Sequence, residues 1–245
     1  MFPIHDANPK SRFPYLTYLL IVANVAVFFW ELSLNEFELS RVFQQYSVVP
    51  FNFEQSGWTV ANLLDIFRSL FFHGGWSHLL GNMLYLFLFG DNVEDTLGRG
   101  VFLLIYFAGG FAATWAQIAI EPASRIPLVG ASGAIAAILG AYLILFPRVK
   151  VRSIIPIAFI PFLVALPAWV VLGFWFVIQL FSGVAALGAA SSGGGGEVAF
   201  FAHIGGFVFG VFAALLTRNM MDMPDDNVLE SRAYQRSENF WQRKS

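Results

Sequence analysis

The 245-residue sequence contains no cysteine, which removes disulfides, iron–sulfur clusters, thiolate zinc sites and thiol nucleophiles together. Charge is scarce as well. Only 12% of residues are charged against 57% hydrophobic, and Phe alone contributes 28, whereas a soluble chain carries about twice that charge. So few polar side chains cannot cover a folded core, and the composition is that of a membrane protein. The net charge of -2 and the lack of any basic run exclude a nucleic-acid surface.

Charged residues rarely sit in hydrocarbon without a partner, so they mark the ends of membrane spans. The charge-free intervals are 13–30, 69–90, 100–120, 126–147, 153–196 and 198–217. Five of them match the ~20 residues that a helix needs to cross a bilayer. The fifth is twice as long, but Pro156, Pro161 and Pro167 crowd its first third and Ala189–Gly196 is rich in glycine. It therefore holds one helix, near 166–187. The expected fold is all-α: a polytopic six-helix bundle over 13–217, with a short N-terminus at 1–12 and a charged tail at 218–245.

Six spans put both termini on one side. With the N-terminus inside, the inner segments hold Lys10, Arg12, Arg99, Arg148, Lys150, Arg152, Arg218, Arg232, Arg236, Arg243 and Lys244, and the outer ones only Arg41, Arg68 and Arg125. The positive-inside rule makes the termini cytoplasmic, and the expected location is a prokaryotic plasma membrane. The first apolar stretch is too long for a signal peptide and lacks a small-residue cleavage site. The long outer segment 34–76 includes amphipathic stretches such as Val60–Phe72 and is expected to lie partly in the interface.

Polar residues within spans are costly, so they point to function. His78 and Asn82 lie in span two, Ser132 in span four and His203 in span six. All three spans run inward, and the four residues fall in the first turns, roughly 10 Å below the outer surface at ~1.5 Å per residue. Ser132, Ala136 and Gly140 form one small-residue stripe; His203, Gly206 and Gly210 form another. Such stripes let helices approach backbone to backbone, which would bring Ser132 and His203 together.

Gly130 and Gly133 flank the serine in Gly130-Ala131-Ser132-Gly133, permitting a tight entry into the helix. Free N–H groups at a helix start can stabilise an oxyanion. A buried, neutral His203 suits a general base. His78 and Asn82, four apart, serve either as donors to that oxyanion or as an interhelical clamp. No carboxylate lies within the spans near this layer, so a Ser-His dyad is favoured over a triad. The same lack argues against a metal site, although His73, His78 and His203 offer nitrogen. A haem held between His78 and His203 would give a coloured protein, and a transporter would need charge in mid-membrane.

In combination these residues resemble the rhomboid family of intramembrane serine proteases over roughly residues 60–217. The resemblance rests on Gly130–Gly133, on Ala202-His203-Ile204-Gly205-Gly206 leading to Gly210, and on His73, His78 and Asn82. Val93-Glu94 with Leu97-Gly98 adds to it, as does the long first outer segment. It implies Ser132 as nucleophile, His203 as base, and His78, Asn82 and the Ser132 N–H as an oxyanion hole open to the outer side. Arg68 corresponds to the arginine of a Trp-Arg pair, with Phe67 in place of the tryptophan. The implied substrates are single-span or polytopic membrane proteins within the lipid bilayer, cleaved without a cofactor. A catalytically silent relative that binds transmembrane helices is the alternative. The Ala189–Gly196 segment above His203 is a lid or a plain loop, and Phe174-Trp175-Phe176 could line a substrate gate.

Overall fold

The computed structural model describes residues 1–6, 8, 12–56, 59–157, 160–190 and 198–220. The expected tail beyond Met220 lies outside them, as does most of the Gly-rich segment that would act as a lid. The elements are β1 (Phe2–Asp6), α1 (Tyr15–Glu31), α2 (Glu36–Tyr46), α3 (Pro50–Ser56), α4 (Val60–Ser69), α5 (Trp76–Tyr85), a π turn (Leu86–Gly90), α6 (Asp91–Leu97), α7 (Arg99–Ile120), α8 (Ser132–Leu145), β2 (Lys150–Ile157), β3 (Ile160–Pro167), α9 (Ala168–Ala190) and α10 (Phe200–Met220). The molecule is mostly helical. Arg99–Ile120, Ala168–Leu187 and Phe200–Met220 are long and apolar enough to cross a membrane, while Tyr15–Glu31 and Ser132–Leu145 are apolar but shorter.

The strands correct the all-α expectation. β2 pairs antiparallel with β3 from Lys150↔Pro167 to Ile157↔Ile160, and β1 pairs with the other edge of β2 from Phe2↔Ile154 to Asp6↔Val151. A ruler made of charges reads 153–196 as one interval and is blind to the β-branched run that begins it. The prolines are tolerated because Pro161 and Pro167 lie on an edge strand. Pro156 lies past the end of β1 pairing, where β2 has one neighbour.

Helix α8 is the centre of the bundle, with nearly every residue buried, and α7 and α10 pack on it through small residues. A methyl group added at Gly210 would fall on the Ala137 carbonyl oxygen, one at Gly206 on that of Gly133, and one at Gly140 on that of Phe207. The α10 stripe is therefore the one read from sequence, His203, Gly206 and Gly210. The face of α8 that meets it is Gly133, Ala137 and Gly140, displaced by one residue from Ser132 and Ala136. Gly109 and Gly205 place α7 equally close, against Ala137 and Ala116.

Carboxyl groups fasten the other end of the bundle. Glu94 on α6 is buried and accepts bonds from the Leu16 N–H at 3.1 Å, the Thr17 N–H at 2.8 Å and the Thr17 hydroxyl at 2.9 Å. It thereby satisfies the free N–H groups that open α1 and complements the helix dipole. Asp6, at the end of β1, accepts from Asn92 Nδ2 at 2.7 Å and from the Asn8 N–H at 2.9 Å. β1 is thus joined both to the sheet and to α6.

Packing by backbone contact has a measurable signature. Gly210→Ala should cost about 1–3 kcal/mol through overpacking and lower the melting temperature in detergent. Gly173→Ala, where a methyl group meets nothing within 4 Å, should leave it unchanged or raise it slightly, because alanine is the better helix former. A second prediction concerns Asp6, whose carboxyl is pushed up to about 8 mainly by burial, with the neighbouring Asp91 charge adding to it. A folded-state value above the unfolded one means that the native state binds the extra proton. Stability from this group is present at acid pH and declines as pH rises from near 4 through about 8. The melting temperature should fall across that range in the wild type and fall less in Asp6→Asn; identical profiles would contradict the assignment.

Candidate active site

Three helices converge on His203. Ser132 opens α8 after the turn at Gly130, whose φ of +121° favours glycine. Its hydroxyl lies 2.8 Å from His203 Nε2. On the other side of the ring, His203 Nδ1 lies 2.8 Å from Gln179 Oε1 on α9. The Trp175 ring, one turn earlier on α9, is 6.0 Å from the imidazole between centroids. A carbonyl oxygen can only accept, so Nδ1 carries the hydrogen and donates it to Gln179. Nε2 is then left to accept from the Ser132 hydroxyl.

His78 and Asn82 both face the turn before the serine. A methyl group at Gly130 would meet His78 Cε1 at 2.6 Å and Asn82 Nδ2 at 3.6 Å. Asn82 Nδ2 also lies 3.0 Å from His73 Nε2. Because the amide donates, His73 carries its proton on Nδ1, which bonds the Phe71 carbonyl at 3.1 Å. The His73 backbone N–H in turn donates to Glu31 at 3.1 Å. A buried carboxylate at the end of α1 therefore steadies the loop that orients Asn82.

The segment between α1 and α5 is stitched to the serine turn by backbone bonds. The Gly130 N–H donates to the Ser69 carbonyl at 2.8 Å, Leu128 N–H to Val48 at 2.7 Å, and Phe51 N–H to Ser124 at 2.9 Å. Arg68 is not part of this contact; it pairs with Asp65 at 2.9 Å and lies over the Tyr46 ring. Phe67 stacks on Phe107. Gly133 and Gly206 press against each other just below Ser132 and His203, and Gly210 does the same one turn deeper.

Sequence reasoning missed Gln179, Gln117 and Glu31. Gln117 of α7 accepts the Ala202 N–H at 3.1 Å, satisfying a free donor in the first turn of α10 beside His203. Neutral amides do not interrupt a charge-free interval, so neither glutamine registered; the signal for Gln179 was its position four after Trp175. Glu31 was read only as the end of a span.

Residues 60–220 match the Rhomboid domain. The chain is 30% identical over 215 residues to Rhomboid protein 1, mitochondrial, of Saccharomyces cerevisiae, covering 86% of this chain and 54% of that one. It is 33% identical over 131 residues to Rhomboid protease GluP of Bacillus subtilis, covering 53% and 24%. It is 32% identical over 94 residues to Presenilin-associated rhomboid-like protein A, mitochondrial, of Danio rerio, covering 38% and 24%. The chain thus spans about half the length of the yeast relative and a quarter of the other two. Similarity to mitochondrial proteins overturns the expected prokaryotic plasma membrane. Loop charge sets how a chain points across a membrane, not which membrane it crosses.

The close approach of His78 to Gly130 makes a test. Gly130→Ala should displace the imidazole and slow fluorophosphonate labelling of Ser132 by about a hundredfold, the cost of roughly 1 Å of misplacement. Gly81→Ala, where a methyl group meets nothing within 4 Å, should label normally; equal rates for both variants would show that the turn does not hold His78.

Proposed function

Since the chain belongs to the rhomboid family, we propose that it is an intramembrane serine endopeptidase that hydrolyses peptide bonds in or beside the transmembrane helices of other membrane proteins. The 2.8 Å contact between Ser132 Oγ and His203 Nε2 carries this reading. His203 takes the hydroxyl proton as Ser132 attacks the scissile carbonyl, giving a tetrahedral intermediate. His78, Asn82 and the Ser132 N–H donate to its oxyanion. Collapse releases the amine, which receives the proton from His203 Nε2. Water then attacks the acyl-enzyme by the same exchange and restores the serine.

The bundle is read as six spans, the second being α5, the π turn and α6 in succession. Helix α8 has 14 residues and is therefore about 21 Å long, short of the ~30 Å hydrocarbon thickness. With Arg148, Lys150 and Arg152 following its inner end, Ser132 lies roughly 10 Å below the opposite surface, within reach of water from that side. A substrate helix hides its carbonyls in its own hydrogen bonds, so substrates should carry helix-weakening Gly or Pro near the outer end of their span.

A single-span reporter with such residues, reconstituted with the protein in liposomes, should be cut by the wild type and not by Ser132→Ala or His203→Ala. Equal product from wild type and Ser132→Ala would remove the serine-protease reading.

A further inference from the structure

Helix α9 carries two amide or hydroxyl side chains, Gln179 and Ser182, in 23 residues. Gln179 is buried, while Phe174 and Phe181 on the same helix are exposed. An amide in apolar surroundings is unfavourable without a partner, and the partner here is His203 Nδ1 at 2.8 Å. Trp175 lies one turn away on the same face and flanks the same ring. The imidazole is thus held on two sides by α9, and its remaining nitrogen faces Ser132.

We propose that Gln179 is a positioning residue for the serine chemistry, extending the Ser132–His203 pair into a Ser–His–Gln relay across α8, α10 and α9. Its carbonyl fixes the Nδ1–H tautomer and the plane of His203, so that the Nε2 lone pair points at the serine hydroxyl. When His203 takes the proton, Gln179 accepts a strengthened bond from Nδ1–H while remaining neutral. A neutral acceptor orients the ring without introducing an anion that the apolar bundle would have to solvate. The inference rests on the protease reading and adds that the base is orientated by a helix contributing neither the nucleophile nor the oxyanion donors.

The test is the rate at which a fluorophosphonate labels Ser132 in proteoliposomes, followed against pH. In labelling, the serine oxygen bonds to phosphorus, fluoride leaves, and the proton passes to His203 Nε2, so the rate reports activation of the nucleophile without a peptide substrate. Gln179→Met keeps the length of the side chain and removes the acceptor. It should slow labelling by about a hundredfold, with a melting temperature close to wild type. Gln179→Glu restores an acceptor at the same reach and should recover most of the rate. Its acid limb should move to higher pH, because a carboxylate favours the protonated ring. A purely structural role would leave that profile in place.

Labelling of Gln179→Met at the wild-type rate with an unchanged profile would overturn the inference alone. If that variant fails to fold, the Gln179→Glu profile decides: a shifted limb supports the role and a fixed one removes it. A wild-type protein that is not labelled at Ser132 would overturn the protease reading, and the inference with it.

Discussion

Backbone contact between α8 and α10 is the constraint on which the rest of the structure depends. In a bilayer the lipid is as apolar as the helices, so helix association relies on close packing and hydrogen bonds rather than on hydrophobic burial. Gly206 against the Gly133 carbonyl and Gly210 against that of Ala137 bring two helix axes to a separation that any side chain would prevent. The serine and the imidazole sit at the top of that seam. Their 2.8 Å contact follows from glycines one and two turns below, with no flexible loop needed to deliver either group.

Around this seam the polar side chains form two ordered supports. One runs from Glu31 through the His73 loop to Asn82 and the Gly130 turn; the other runs from Gln179 to His203, with Gln117 holding the adjacent turn. Each satisfies buried donors and acceptors that would otherwise be expensive in an apolar bundle. Together they fix the tautomers of two histidines by giving each ring one partner that can only donate or only accept.

Much of this was legible in the sequence because charge and glycine carry strong physical penalties. Charges marked the ends of α1 and α7, although α6 carries Asp91, Glu94 and Asp95 past the end of its interval, and the Gly206–Gly210 spacing identified the contacting face of α10. The face of α8 was misjudged by one residue because Ser132 was assumed to lie on the packed stripe, whereas Gly133 does. The sheet was hidden inside a charge-free interval in which Ile154, Ile155 and Val164 look as suited to hydrocarbon as to a strand. Gln179 was hidden for the opposite reason: a single amide leaves hydropathy almost unchanged, and only the fold shows that it meets His203. The membrane in which the chain resides was not legible from loop charge at all.

The central claim is that the helix seam holds His203 as a hydrogen-bond acceptor toward Ser132. It is tested most directly by the ¹⁵N resonances of the His203 ring in bilayers, compared between wild type and Ser132→Ala. The account predicts one neutral tautomer with the hydrogen on Nδ1. It also predicts that the Nε2 resonance moves toward that of a free acceptor in the variant while Nδ1 stays in place. A hydrogen on Nε2, or an Nε2 resonance indifferent to the loss of the hydroxyl, would contradict it.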